Sequence, residues 1–188
     1  MSKFSVIAFA VAGFVVMAGI GVSRVFAARL SNAQLPQAGE TAPDFTLRNE
    51  NDQPVTLDQY RGKWVVLYFY PKDMTTGCTI EAHNFQRDLP EFDALNAVIL
   101  GVSLDTVASH RKFCEKDSLH FTLLADPGRD VVREYGSLGH FGKWTIAKRN
   151  TFLIDPDGTI VKVWTKVNPM IHAKQVLAEI RALQQKRA

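Results

Sequence analysis

Cysteine is scarce in this sequence, because its 188 residues contain only two, Cys78 and Cys114. A Cys-x-x-Cys pair, the usual arrangement for thiol–disulfide exchange, is absent, since the position three after Cys78 is Glu81. The histidines show no metal-ligand spacing, so we expect no metal site. They are His83, His110, His120, His140 and His172. The two cysteines are therefore the first candidates for reactive groups.

Acidic residues are missing from the first 39 positions, which carry Lys3, Arg24 and Arg29. These three cations account for the whole net charge of +3, so residues 40–188 are neutral overall. The neutral net charge of this domain gives no support for a basic patch, and we expect no nucleic-acid partner.

Charge is also absent from residues 4–22, FSVIAFAVAGFVVMAGIGV. Small residues at Val25 and Ala27 favour a cleaved signal peptide over residues 1–27, but the run is also long enough for a membrane anchor. Both interpretations predict export, with a location in a bacterial periplasm, soluble or tethered to the membrane through residues 4–22. Residues 28–39 are then a linker, and residues 40–188 a globular domain.

Periodicity predicts alternating strands and helices in that domain. The apolar run WVVLYFY (64–70) predicts a central strand, and the spacing from Cys78 to Phe92 predicts a helix that Pro90 kinks or restarts. AVILGVS (97–103) predicts a second buried strand, followed by a helix that Asp105 caps and that runs to about Lys116.

Two hairpins and further elements flank this centre. The remaining predictions are a hairpin from FTL (45–47) and PVTLDQ (54–59), a strand in FTLLAD, a short helix over 129–135, a hairpin from TFLID (151–155) and TIVKVW (159–164), and an amphipathic C-terminal helix. This order predicts an α/β domain with a central mixed sheet flanked by helices and an N-terminal β-hairpin, which is the layout of a thioredoxin-like fold.

Cys78 is predicted in the first turn of a helix, just after the carboxyl end of a buried strand. Open α/β sheets place their sites at such ends. Free N–H groups at a helix start favour a thiolate, which is a nucleophile. A structural, packed cysteine explains the placement alone equally well.

The residues before Cys78 favour the functional interpretation. Pro71, Thr75 and Cys78 form the pattern P-x-x-x-T-x-x-C, and Arg149 begins R-x-T-F-L-I-D. With these motifs the sequence resembles the peroxiredoxins, and YFYPKDMTTGCTIEA is similar to the bacterioferritin comigratory protein or PrxQ branch. The resemblance extends over nearly all of residues 40–188.

The resemblance implies a thiol peroxidase that reduces hydrogen peroxide and alkyl hydroperoxides without a cofactor. Cys78 would be the peroxidatic nucleophile, Thr75 would hydrogen-bond the peroxide and the sulfur, and Pro71 would shield the thiolate. Arg149 would hold the thiolate and the peroxide oxygens, and Glu81 is a weaker candidate behind it. A thioredoxin-like protein would be the reductant, and we expect a monomer.

The second cysteine departs from the commonest family pattern. Many relatives carry the resolving cysteine five residues after the nucleophile, where this chain has His83, which we expect to be solvated or packed on the helix. Another subgroup has it in the next helix, as Cys114 is here, so the resemblance implies that Cys114 resolves. A disulfide needs Cα atoms within about 7 Å, so we expect at least one helix to unwind partly in each cycle.

Three alternatives remain open. Cys114 is a core residue in a one-cysteine peroxidase, or the chain is an exported thiol–disulfide oxidoreductase of thioredoxin fold, or it is a binding domain without redox chemistry. Thr76 stands where the family often has proline, which we expect to change loop flexibility more than chemistry.

Overall fold

The structure, a computed structural model, describes residues 34–187. The predicted signal peptide or anchor (1–27) and the first part of the linker lie outside the described residues, as does Ala188. Within residues 34–187, no helix combines the length and the apolar character that a membrane crossing requires.

A central sheet of seven strands organises the described chain, and a separate two-stranded hairpin accompanies it. The strands of the central sheet are β1 (Thr46–Asn49), β2 (Pro54–Thr56), β3 (Trp64–Phe69), β4 (Ala97–Ser103), β5 (Thr122–Ala125), β8 (Asn150–Ile154) and β9 (Ile160–Thr165). The hairpin is formed by β6 (Leu138–Phe141) and β7 (Trp144–Ala147).

Four α-helices lie between and after these strands. They are α1 (Thr76–Ala94), α2 (Val107–Asp117), α3 (Asp130–Glu134) and α4 (His172–Arg187), and a 3-10 helix covers Leu57–Tyr60.

The strand order is β2-β1-β5-β4-β3-β8-β9, and the sheet is mixed. Strands β3, β4 and β5 are parallel, because helices connect them, whereas β8 joins β3 and β9 in antiparallel register. The N-terminal pair β1 and β2 is antiparallel, as the sequence predicts. The predicted α/β architecture is confirmed.

Strand β3 is buried on both faces, which explains its unbroken apolar sequence. One face of β3 belongs to an apolar cluster shared with α1, α2 and α4, to which it contributes Trp64, Val66 and Tyr68. The alternate residues Val65 and Leu67 belong to a second cluster on the opposite face. The end of β3 is therefore held rigidly, and the residues that follow it start from a fixed point.

The structure corrects three details of the sequence interpretation. Thr106, not Asp105, caps α2, because its hydroxyl oxygen accepts from Ser109 N. Of the two expectations for Pro90, a kink or a restart, the restart is wrong, because one helix, α1, runs through Pro90 although proline cannot donate to the preceding turn. The hairpin β6–β7 has no counterpart among the predicted elements.

Candidate active site

The loop of residues 70–75 connects β3 to α1, and the first turn of α1 carries Cys78. Thr75 is the N-cap residue of α1, and its carbonyl accepts from Thr79 N at 2.9 Å. Cys78 is 2% exposed and belongs to the apolar cluster beneath α1. Its sulfur therefore sits at a helix N-terminus, where unpaired backbone N–H groups favour negative charge.

Arg149 approaches Cys78 from the link between β7 and β8. Its Nη2 donates to Cys78 Sγ at 3.3 Å, although 71 residues separate the two along the chain. Burial lowers the pKa of Arg149, but the charges of Glu81 and Cys78 raise it by more, so the net shift is upward. The guanidinium is a permanent cation beside the sulfur.

Glu81 holds the other side of that guanidinium. It lies one turn after Cys78, and its Oε2 accepts from Arg149 Nη1 while its buried Oε1 has no partner among the described residues. Burial raises the pKa of Glu81 from 4.5 to about 7, and the attraction of Arg149 opposes part of that rise. Glu81 thus orients Arg149 and is half ionised near neutral pH.

Thr75 and Pro71 both lie in the loop before α1. The Thr75 hydroxyl donates to Lys72 O at 3.0 Å, and the residue is exposed. Its oxygen retains lone pairs that can accept a hydrogen bond from a peroxide. Pro71 is half-buried directly after Tyr70, whose N–H continues the sheet by donating to Val102 O.

Cys114 lies on α2 and packs against the same apolar cluster as Cys78, but both thiols are free. Burial raises the pKa of Cys114 from 9.0 to about 12, and the charges of Glu50, Asp73 and Glu115 add to the rise. A thiol in this environment stays protonated at neutral pH and is a poor nucleophile.

His83 is exposed on α1, as expected, and its Nε2 pairs with Asp117 Oδ1 at 3.0 Å. The residue in the position of many relatives' second cysteine therefore connects α1 to the end of α2. Gln86 adds to this connection, since its Oε1 accepts from His120 N at 2.7 Å.

Sequence reasoning missed a buried polar cluster around Asp73. Tyr70 donates to Asp73 Oδ1 at 2.7 Å, and Ser109 donates to Oδ2 at 2.6 Å. His110 Nδ1 lies 2.9 Å from the same carboxylate. A charged residue between the motif positions Pro71 and Thr75 was the available signal, but Ser109 and His110 are more than thirty residues away along the chain.

The described site brings four of the predicted residues to one end of the sheet. Pro71, Thr75 and Cys78 lie on the loop and the first turn of α1, and Arg149 is in contact with the sulfur. Cys114 is nearby in the same cluster without a bond to Cys78.

Comparison with known proteins gives the same family throughout. The sequence profile of the AhpC/TSA family matches residues 38–163. Peroxiredoxin Bcp of Bacillus subtilis is 40% identical over 154 residues, which cover 80% of this chain and 98% of the relative. A chloroplastic peroxiredoxin Q of Sedum lineare is 37% identical over 147 residues, covering 77% of this chain and 78% of the relative.

Solved structures agree. A PrxQ mutant of Xylella fastidiosa superposes with a TM-score of 0.77 at 34% identity and covers 80% of this chain and 99% of that one. The bacterioferritin comigratory protein of Xanthomonas campestris, which is described with an alkyl peroxide reduction activity, gives 0.71 at 37% identity, with 80% and 98% covered. These relatives give no support to a thiol–disulfide oxidoreductase. The chain therefore belongs to the AhpC/TSA family and is a peroxiredoxin of the Bcp/PrxQ type, an enzyme that reduces peroxides with a thiol.

Proposed function

We propose that Cys78 is the peroxidatic thiol, that Cys114 resolves its sulfenic acid, and that a thioredoxin-like protein returns the electrons. The observation that carries the first part is the contact between Arg149 Nη2 and Cys78 Sγ, 3.3 Å, at the start of a helix. A fixed cation and a helix N-terminus together favour the thiolate in a largely buried position.

The first step transfers one oxygen to sulfur. The Cys78 thiolate attacks one peroxide oxygen, the O–O bond breaks, and the leaving oxygen takes a proton to become water or an alcohol. Arg149 stabilises the developing negative charge, and Thr75 accepts the hydrogen bond of the peroxide O–H while it donates to Lys72 O. Pro71 shields the sulfur at the loop.

The second step forms a disulfide and releases water. The Cys114 thiol condenses with the Cys78 sulfenic acid, and a dithiol reductant then exchanges with the disulfide. Since the pKa of Cys114 is raised to about 12 where it lies, resolution requires a change in its surroundings. Alkyl hydroperoxides are substrates beside hydrogen peroxide, and the alkyl peroxide reduction activity of the Xanthomonas campestris relative supports this range.

The test is peroxide consumption with a thioredoxin system, comparing wild type, Cys78→Ser and Cys114→Ser. We expect Cys78→Ser to lose all turnover. Cys114→Ser should consume about one equivalent of peroxide and then stop or slow strongly, because its sulfenic acid lacks a resolving thiol. Undiminished turnover in Cys78→Ser would overturn the assignment, and undiminished turnover in Cys114→Ser would favour the one-cysteine cycle.

Export, with the domain acting as a monomer, completes the proposal. The support is the uncharged run over residues 4–22 and the small residues before position 28. Fusion of residues 1–40 to alkaline phosphatase should give an active reporter, and N-terminal sequencing of the product separates cleavage from anchoring. An inactive reporter would contradict export. Size-exclusion chromatography of residues 34–188 tests the monomer.

A further inference from the structure

The loop of residues 70–75, called the active-site loop from here on, contains a buried carboxylate that receives three side-chain hydrogen bonds. Asp73 is 3% exposed and His110 is fully buried. The carboxylate accepts from the Tyr70 hydroxyl on one oxygen and from Ser109 and His110 on the other. Burial alone would raise the pKa of Asp73, but the bonds from His110, Ser109 and Tyr70 lower it below its ordinary value. Asp73 is therefore an anion at neutral pH.

These hydrogen bonds also determine that Nδ1 of His110 carries a proton. Its Nδ1 faces an anion that the two hydroxyls already approach as donors, so Nδ1 must carry a proton and donate. Its Nε2 is buried without a partner among the described residues. Among the described residues, the His110 ring therefore forms hydrogen bonds only through Nδ1, which faces the active-site loop.

The cluster joins the active-site loop to α2. Ser109 and His110 lie in the first turns of α2, whereas Asp73 lies between Pro71 and Thr75. The Asp73 N–H adds a further bond at 2.9 Å to Asp105, in the segment that leads into α2. Loop and helix are thus connected by one side chain and one backbone group of the same residue.

Cys114 is placed so that this connection restrains it. It lies four residues after His110 and therefore on the same side of α2, one turn further on. The far end of α2 is held to α1 by the pair of His83 and Asp117, in which the His83 side chain is half exposed, whereas Asp73 and His110 are both buried. Cys114 sits between the two attachments, and the buried one is the stronger.

The backbone next to the connection is strained. Met74, directly after Asp73, has φ = 55°, in the left-handed region that a non-glycine residue rarely adopts. Met74 lies between Asp73, whose side chain is held by the bonds described above, and Thr75, the N-cap residue of α1. Release of Asp73 would let the loop relax, which favours movement of the first turn of α1 together with Cys78.

We propose that the hydrogen bond between Asp73 and His110 is a latch, which holds the active-site loop against α2 while Cys78 attacks the peroxide. This bond must break before Cys114 reaches Cys78. Asp73 and His110 are positioning residues, which act through the loop and the helix rather than on the substrate. The inference rests on the proposed function, in which Cys114 resolves Cys78. The sulfenic acid waits while the latch is closed, and a second peroxide can then convert it to sulfinic acid with release of water or an alcohol.

The latch determines how much of the Cys78 sulfenic acid becomes disulfide and how much becomes sulfinic acid. Opening exposes the Cys114 thiol to a new environment and allows its condensation with the sulfenic acid, which releases water. A charge-assisted buried hydrogen bond stabilises the closed form enough that its loss should raise the open population about tenfold. Weakening the latch should therefore speed the disulfide and protect against sulfinic acid.

The experiment measures disulfide formation in His110→Phe. Phenylalanine keeps an aromatic ring at this buried position, somewhat larger than imidazole, and removes the Nδ1–H bond. The reduced protein is mixed with one equivalent of hydrogen peroxide, quenched in acid at intervals, alkylated and weighed by mass spectrometry. We expect the rate constant for disulfide formation to rise about tenfold, and the sulfinic fraction at high peroxide to fall in proportion.

Two variants and a control sharpen this test. His110→Asn places an amide N–H near the position of Nδ1, so it should restore a rate close to wild type. Ser109→Ala removes a different donor to the same carboxylate and should raise the rate in the same direction as His110→Phe. His120→Phe makes the same change at an exposed histidine just beyond α2 and should leave the rate unchanged.

The two proposals fail in distinguishable ways. If wild type forms no Cys78–Cys114 disulfide, the proposed function is wrong and the latch with it. If wild type forms the disulfide but the rate is unaltered or slower in His110→Phe and in Ser109→Ala, only the latch is wrong. If His110→Phe does not fold, judged by circular dichroism, Ser109→Ala decides by the same measurement.

Discussion

Cys78 and Cys114 touch the same apolar cluster, but the charges around them differ in sign. Arg149 is in contact with Cys78, whereas Glu50, Asp73 and Glu115 raise the pKa of Cys114, in addition to burial. Cys78 has a guanidinium within hydrogen-bond distance of its sulfur. Cys114 is held where its thiol stays neutral. The contrast implies that the two sulfurs are used in sequence, with a conformational change between the two uses.

The largest effect is expected for the reactivity of Cys114 in the Cys78→Ser variant, where it is the sole thiol. A pKa of about 12 rather than 9.0 leaves the thiolate fraction at pH 8 lower by about a thousandfold. We expect alkylation by iodoacetamide to be at least about a hundredfold slower in the folded protein than in urea, since brief openings allow some reaction. The folded rate should keep rising with pH beyond 9.

If the alkylation rate of the folded protein reached a plateau near pH 9, Cys114 would have the ordinary pKa of a thiol. The contrast between the two cysteines would then be wrong. Glu115→Gln offers a check on the cause. It removes one of the acidic neighbours and should speed alkylation slightly, with burial still dominant.

Glu81, which lies beside Cys78, should make the free energy of unfolding depend on pH. Its pKa is raised to about 7 from 4.5, so the folded state holds the proton more tightly than the unfolded chain. The stabilisation is complete below pH 4.5 and is lost as pH rises to about 7. The free energy of unfolding of wild type, relative to Glu81→Gln, should fall by up to roughly 3 kcal/mol over that range.

Urea titrations of both proteins at several pH values measure this difference. A difference that stays constant between pH 4.5 and 8 would show that Glu81 is ionised throughout, as an ordinary ion pair with Arg149. Asp130→Asn serves as a control, because it removes an exposed carboxylate with a similar arginine partner.

Arg149→Lys tests the cation beside Cys78. Lysine keeps the charge but loses the planar fork that contacts Cys78 and Glu81 together. We expect the second-order rate constant for hydrogen peroxide to fall about thirtyfold. Arg133→Lys, at an exposed pair, should change it less than twofold; an equally small change in Arg149→Lys would refute the role of Arg149.

Thr75→Val should have the smallest effect of the series. Valine preserves the shape and removes the hydroxyl, so the rate constant for peroxide should fall about tenfold while the melting temperature changes little. The neighbouring Thr76→Val is the matched control and should leave the rate constant near wild type. If the two variants behave alike, the hydroxyl of Thr75 has no part in the reaction.

The sequence predicted the Cys78 side well because its determinants are local. An apolar strand, a period of helical spacing and the motif from Pro71 to Cys78 are all contiguous. They place the thiol at a helix start, and the structure confirms that placement. The contact with Arg149 spans 71 residues, and only the resemblance to a known family indicated it.

The Cys114 side was predicted less completely because it depends on distant partners. Asp73 and His110 are 37 residues apart, and no local pattern pairs a loop carboxylate with a helix histidine. The raised pKa of Cys114 likewise comes from burial and from residues on other elements, such as Glu50. The assignment of the α2 cap to Asp105 failed for the same reason, since Asp105 instead binds Asp73.

The central claim is that the two cysteines act in sequence within one chain. Reduced wild type treated with one equivalent of hydrogen peroxide is analysed by intact mass and peptide mapping. We predict a loss of about 2 Da and a peptide that joins Cys78 to Cys114. A persistent gain of about 16 Da on Cys78, or a dimer linked through Cys78, would contradict it.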